Sequence, residues 1–263
     1  MLINSYINMD PDAVAFLNAQ GNTNAKEKYA LNRLVVDLKQ AGIWTKFKAI
    51  YPFLGSTAAF HKWNLKDPRD LDAAFRLVFF GGWTHSSNGA LPNGTNAYAD
   101  TKLQPSLNLS SVNNIHFSIY SRTNTAGGSK GNGIYQISNT QGLYLTEKNS
   151  TNNFNGVIGD DTQGILTSNL DSRGFYTVNR SASNNIKGFV NGNLAVTNTN
   201  ASTGLLSTIN VYLSAINTVG FGIVFYNDKQ LAFSSIGESL TDTEALNYYN
   251  SVQRFQTTLG RQV

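Results

Sequence analysis

The chain has 263 residues, no cysteine and a formal net charge of +4, and only 14% of its residues are charged. That length allows one large domain, or a domain with an added segment, and a core that needs neither disulfide nor metal. The missing cysteine excludes a disulfide frame, a thiolate zinc site and a thiol nucleophile. The sparse charge, against roughly 25% in an ordinary domain, is scattered as in Lys26, Lys28, Lys39, Lys46 and Lys48 and forms no basic stripe for nucleic acid.

The opening residues, MLINSYINMDPDAVAF, contain neither a basic leader nor an apolar signal core, so no secretory signal is expected. No apolar run approaches the ~18 residues of a membrane span, and synthesis in a cytoplasm without membrane insertion is expected. The first ~60 residues read as helical. Asp10 before Pro11 has the form of an N-cap with proline at the first helical position, and Gly21 is placed to end that helix. Asn24 with Glu27 three residues on resembles a capping box, followed by Leu31, Leu34, Val35 and Leu38 at helical spacing. After Gly42, a second apolar face of Ile43, Trp44, Phe47, Ile50 and Tyr51 is read as helix, stopped by Pro52.

From about residue 75 the apolar period becomes two. Strands are expected at 75–80, 97–102, 115–122, 133–138, 143–147, 154–158, 174–180, 185–190, 193–197, 210–216 and 222–227, with Gly, Asn and Ser between them. Many short strands with frequent turn signals, and no alternating helices, predict an antiparallel sandwich or barrel. Asn191-Gly192 between two alternating runs predicts a two-residue hairpin. Thr241 with Glu244 forms a second capping-box pattern, and Ala245, Tyr248, Tyr249, Val252, Phe255 and Leu259 continue as a helical stripe that ends near Gly260.

Catalytic patterns are not evident. The four glutamates, Glu27, Glu147, Glu238 and Glu244, do not pair with another acid at a spacing of two on an expected strand, as two carboxylates flanking a glycosidic bond would. Asp160 and Asp161 are adjacent, so on a strand they would point to opposite faces, and a turn is expected. His61, His85 and His116 show no short helical zinc spacing. A Gly-x-Ser-x-Gly elbow is lacking, and GGSKGNG at 127–133 reads as a flexible loop between strands rather than a phosphate loop. The best loop for binding is FFGGWTHSSNGALPNG, where Trp83, His85, Asn88 and Asn93 would offer an aromatic platform with amide partners suited to a sugar. Burial of Trp83 at a strand end is the competing reading.

Three stretches, in order, resemble LamG-like jelly rolls of the concanavalin A-like lectin/glucanase superfamily. They are PNGTNAYADTKLQPSLNLSSVNNIHFSIYSRTN at 92–124, SRGFYTVNRSASNNIKGFVNGNLAVTNT at 172–199, and LAFSSIGESLTDTEALNYY at 231–249. The second is similar to that family's Val-Asn-Gly hairpin after a strand carrying an arginine, which makes the hairpin scaffold. An acidic calcium cluster, common in such lectins, is not evident here. LVVDLKQAGIWTKFKAIYPFLG, HKWNLKDPRDLDAAFRLVFFGGWTHS and the ending VQRFQTTLGRQV resemble segments of structural proteins of tailed bacteriophages.

These resemblances imply a mainly β, two-sheet antiparallel jelly-roll sandwich at 61–239, an N-terminal helical segment at 1–60 and a C-terminal helix at 240–263. They imply a non-enzymatic virion structural protein, a decoration, fibre or adhesin subunit localised to the particle. Its partners would be other virion subunits, glycans and a homo-oligomer; no metal or other cofactor is expected. A free carbohydrate-binding lectin is the rival reading, and a polysaccharide-degrading enzyme the third. The apolar stripes at the two ends make Trp44, Phe47, Tyr51, Val252, Phe255 and Leu259 candidates for subunit docking, with packing onto the chain's own sandwich as the alternative.

Overall fold

The computed structural model describes residues 9–125, 130–135 and 140–263. The expectations for the chain start up to residue 8, for residues 127–129 of the glycine loop and for 136–138 of one strand fall outside them. The elements are α1 (Pro11–Gln20), α2 (Ala25–Gln40), β1 (Phe47–Tyr51), α3 (Ala58–His61), β2 (Val78–Phe80), β3 (Trp83–Ser86), β4 (Gly89–Pro92), β5 (Tyr98–Asp100), α4 (Pro105–Asn108), β6 (Ile115–Ser121), β7 (Asn132–Tyr135), β8 (Gly142–Thr146), β9 (Asn153–Gly159), β10 (Ile165–Ser168), β11 (Gly174–Ala182), β12 (Asn185–Val190), β13 (Asn193–Asn198), β14 (Tyr212–Leu213), β15 (Ile216–Thr218), β16 (Gly222–Val224), β17 (Leu231–Gly237) and α5 (Asp242–Leu259).

The helix ends follow from local chemistry. The Asp10 carboxylate accepts from the Asp12 amide ahead of Pro11, and Gly21 closes α1 in the left-handed region at φ 70°. Asn24 caps α2 by accepting from the Glu27 backbone amide, but the reciprocal half of the expected box is not made, because the Glu27 carboxylate accepts from the Asn22 side-chain Nδ2 instead. The Thr241–Glu244 box at the start of α5 is complete.

Two sheets pack face to face. The first runs β13-β12-β11-β6-β17-β4-β3, with β1 also paired to β17; the second runs β10-β9-β8-β7-β14-β5-β2, extended by β15 and β16. Pairing is antiparallel except where β15 runs parallel to β7. Alternate residues of the facing strands, among them Phe117, Ile119, Ile134, Leu143, Leu145, Phe154, Tyr176, Val178 and Ile236, fill the space between the sheets. The opposite side of the first sheet, through Tyr120, Phe175, Phe189 and Phe233, packs under Leu31, Leu34 and Leu38 of α2 and Tyr248, Val252 and Phe255 of α5. The molecule thus has three layers, and β6 and β17, covered on both faces, are buried along their whole length. The helix-facing side of the first sheet is partly polar. Ser118 on β6 is hydrogen-bonded to Thr177 on β11 (2.8 Å) and pairs with Ser235 on β17, whose hydroxyl meets Tyr248 (2.6 Å) and His116 (3.2 Å).

Residues 43–51 correct the helical expectation. Trp44–Lys46 form one 3₁₀ turn, and Phe47–Tyr51 is a strand in register with Ser234–Gly237 of β17. Five residues with apolar groups at both helical and strand spacings carry no decisive period, and the distant β17 supplies the partner. Strands β3, β4 and β10 were also not expected, and the expected strand at 210–216 is broken at Ser214, whose φ is +64°. The hairpin at Asn191-Gly192 is as predicted: both residues have positive φ (51° and 74°), joining β12 to β13. The Asn191 side chain also accepts from the Phe175 amide (2.8 Å), so the turn is pinned to β11.

Two buried arginines hold the layers together without a carboxylate partner within 4 Å among the described residues. Arg180 on β11 donates to the carbonyls of Ile158, Ser183 and Gln163. Arg261, after α5, donates to Gln256 and to the carbonyls of Pro52, Phe53, Ser87 and Ala232. It ties the chain end to β1, β17 and the β3–β4 hairpin.

Candidate functional site

The expected loop site divides. Trp83 and His85 lie on one face of β3 with ring centroids 5.9 Å apart, and Phe79 packs edge-on against both. Trp83 donates its indole N–H to the Phe80 carbonyl (2.9 Å) and leans against the inter-sheet core, as the burial reading anticipates. Asn93 builds its turn: its Oδ1 accepts from the amides of Thr95, Asn96 and Ala97, and its Nδ2 donates to Asn96 (2.8 Å). Asn88 sits exposed at the tip of the β3–β4 hairpin. These residues do not converge on one cavity.

The sequence spacing also concealed a histidine pair. The Nδ1 atoms of His61 and His85 are 2.9 Å apart, and His61 Nε2 is 3.1 Å from the Gly55 carbonyl. That carbonyl requires a proton on His61 Nε2, so in the neutral pair His85 donates through its Nδ1. Burial lowers both pKa values, that of His61 to about 3.

The docking candidates are mostly committed to internal packing. Phe47, Tyr51, Val252 and Phe255 are buried in the chain's own two clusters. Trp44 and Leu259 are half-buried at the margin of the helix-side cluster, and Lys66 lies 3.7 Å over the Trp44 ring.

A groove of about 340 Å³ opens on the outer face of the second sheet. Strand alternation creates it. Leu143 and Leu145 of β8 point into the core, so Tyr144 and Thr146 point out; on β9, Phe154 points in and Asn155 out. Ile216 of β15 and Phe225, just beyond β16, form one wall, and Lys130, Asp161, Asn149 and Ser150 complete the rim. Phe225 has φ +57°, an uncommon backbone conformation for a bulky residue, and the residue is 45% exposed. Its carbonyl accepts from the Gly131 amide at 3.0 Å, which ties its backbone to the segment leading into β7. A positive φ held by surrounding bonds at a groove wall is a pointer to function.

The polar groups are orientated. Tyr144 donates its hydroxyl to Asp161 (2.7 Å). Lys130 is paired with Asp228, which also accepts from Thr125. Burial would raise the Asp228 carboxyl, but the hydrogen bonds from Lys130 and Thr125 outweigh it and hold it below the usual range. Asn149 accepts from the amides of Thr151 and Asn153, shaping the loop beside the groove. The site therefore presents an aromatic wall and a floor of hydroxyl and amide groups, and its flanking lysine is already neutralised. Asp161 is the only carboxylate among the described lining residues. No group of three or more potential metal-ligating side chains occurs among the described residues.

Tyr144, Asn155 and Ile216 come from three separate strands and Phe225 from the segment after β16, and the only sequence signal for them is alternation on β8 and β9.

No family model matches the sequence, and no curated protein matches it. Solved structures do resemble the fold. The binding domain of botulinum neurotoxin serotype D aligns at a TM-score of 0.50 and 11% identity over 78% of this chain, which spans 51% of that chain. Domain 4 of AbnA, an extracellular arabinanase of family GH43 from Geobacillus stearothermophilus solved with arabinotriose, aligns at 0.45 and 12% identity, over 77% of this chain and 98% of that domain. A botulinum neurotoxin type C structure, concerned with cell entry through two ganglioside molecules, aligns at 0.46 and 15% identity over 68% of this chain and 47% of that one. The likeness is one of fold, a two-sheet β-sandwich.

Proposed function

We propose that this chain is a non-enzymatic glycan-binding module that takes a sugar in the groove of the second sheet and serves as a structural subunit displayed on a bacteriophage particle. The observation that carries the binding role is the groove itself. Phe225 supplies an apolar ring face for the C–H face of a pyranose or furanose, and Tyr144, Thr146 and Asn155 supply hydroxyl and amide partners. The pairing of Lys130 with Asp228, and the Asp161 carboxylate on the rim, favour a neutral sugar over an anionic one. Hydrolysis by two carboxylates needs a second acid across the bond, and Asp161 is the single carboxylate among the described groove-lining residues. The virion setting is supported by the resemblance of 34–55, 61–86 and 252–263 to phage structural proteins.

Titration calorimetry with a panel of neutral oligosaccharides tests the binding role. Phe225→Ala and Tyr144→Ala should each weaken binding about tenfold, a loss of about 1.4 kcal/mol, with the melting temperature of the chain little changed, while Trp83→Ala should leave affinity unaltered. Unchanged affinity in both groove variants would remove the groove as the site. Mass spectrometry of purified particles tests the setting, and absence of the chain from virions would overturn it.

A further inference from the structure

We infer that β13 is a dimerisation edge, through which two copies of this chain join their first sheets into one continuous sheet. β13 ends that sheet, with β12 on one side and no strand on the other among the described residues. Its sequence, NLAVTN, carries no charge and no proline. Sheet edges are usually blunted by lysine, proline or shortness, because a row of unpaired amides and carbonyls templates another strand. The other edge strands are shorter: β1 has five residues and carries Lys48, β3 and β10 have four, and β2 and β16 have three, against six in β13.

The side chains around this edge suit a second copy. A bulge at Ala195 breaks the alternation, so that Leu194 pairs with Phe189 while Val196 pairs with Gly188. Phe189 faces the helices, which puts Leu194 on the helix side of the sheet, where it is 48% exposed. Leu246 of α5, 43% exposed, lies over the neighbouring Gly192 together with Tyr249. Antiparallel pairing of β13 with its own copy places a two-fold axis perpendicular to the sheet. That operation keeps both helix layers on one side and brings Leu194 and Leu246 of each copy toward those of the other. Such an interface is isologous and closes at two subunits. It involves neither the groove nor the second sheet, so it stands whether or not the chain binds sugar.

Sedimentation equilibrium of the full chain tests this, alongside Leu194→Asp, which would set two carboxylates against each other across the axis. The full chain is expected to sediment as a dimer. The variant should sediment as a monomer with an unchanged circular dichroism spectrum. Since the chain has no cysteine, a single Leu194→Cys gives a second readout: oxidation should link it into covalent dimers far faster than Tyr29→Cys on an exposed helix face. If Leu194→Asp fails to fold, Thr197→Lys replaces it. A monomeric full chain, a dimer that survives the charged variant, or equal cross-linking at 194 and 29 would each overturn the inference.

Discussion

His116 sits fully buried between β17 and α5, with Nδ1 against the Glu238 carbonyl at 2.5 Å and Nε2 against the Ser235 hydroxyl at 3.2 Å. Burial lowers its pKa to about 4, as burial lowers that of His61 to about 3. In the unfolded chain both titrate near 6.5. Between these limits the unfolded state binds more protons than the folded one, so stability falls as pH drops. The loss is absent above about pH 6.5 and grows by about 1.4 kcal/mol per pH unit for each histidine, until about pH 4 for His116 and about pH 3 for His61. Urea midpoints measured from pH 7.5 to pH 4.5 should decline, and His116→Gln should decline less steeply over the same range. A flat profile for the unmodified chain would mean that neither imidazole is held neutral by the fold.

At the scale of elements, the C-terminal helix was legible and its role was not. Thr241 and Glu244 announce its start and Gly260 its end, because capping chemistry is local. Whether its stripe meets its own sheet or a neighbour depends on groups far back along the chain, such as Tyr120 and Phe175. The same limit hid β1, whose five residues become a strand only against β17, and it hid the groove, which three strands and the loops beside them assemble. The Asn191-Gly192 hairpin lay at the opposite extreme, since two adjacent residues specify it. Truncation after Tyr249 separates the two roles of α5. It removes Val252 and Phe255 from the helix-side core, and it removes Arg261, leaving the Pro52 and Phe53 carbonyls without their donor. Burying each such side chain contributes about 1.5–3 kcal/mol, and each orphaned buried acceptor costs about 1–3 kcal/mol. The truncated chain should lose cooperative thermal unfolding; a melting temperature equal to that of the full chain would show that the helix end is free to dock elsewhere.

At the scale of the whole molecule, the helices and the groove occupy opposite outer faces of one sandwich. α1, α2 and α5 roof the first sheet, and the groove opens on the second. This division bears on the sequence boundary near residue 60, because the N-terminal segment does more than lie on the sandwich. β1 hydrogen-bonds to β17, and its loss would strip a ladder from the backbone at 234–237. Phe47, Ile50 and Leu54 would leave the helix-side core, at about 1.5–3 kcal/mol each. α2 would no longer cover α5, and the salt bridge between Arg254 and Asp37 (2.5 Å) would vanish. Against a typical domain stability of about 5–15 kcal/mol, those three side chains alone account for much of the total. A fragment of residues 61–263 should therefore bind a hydrophobic dye and unfold without a cooperative transition. If instead it unfolded cooperatively and kept the near-ultraviolet circular dichroism of the full chain, the sandwich would be independent of its roof, and the first 60 residues would be free to serve a partner.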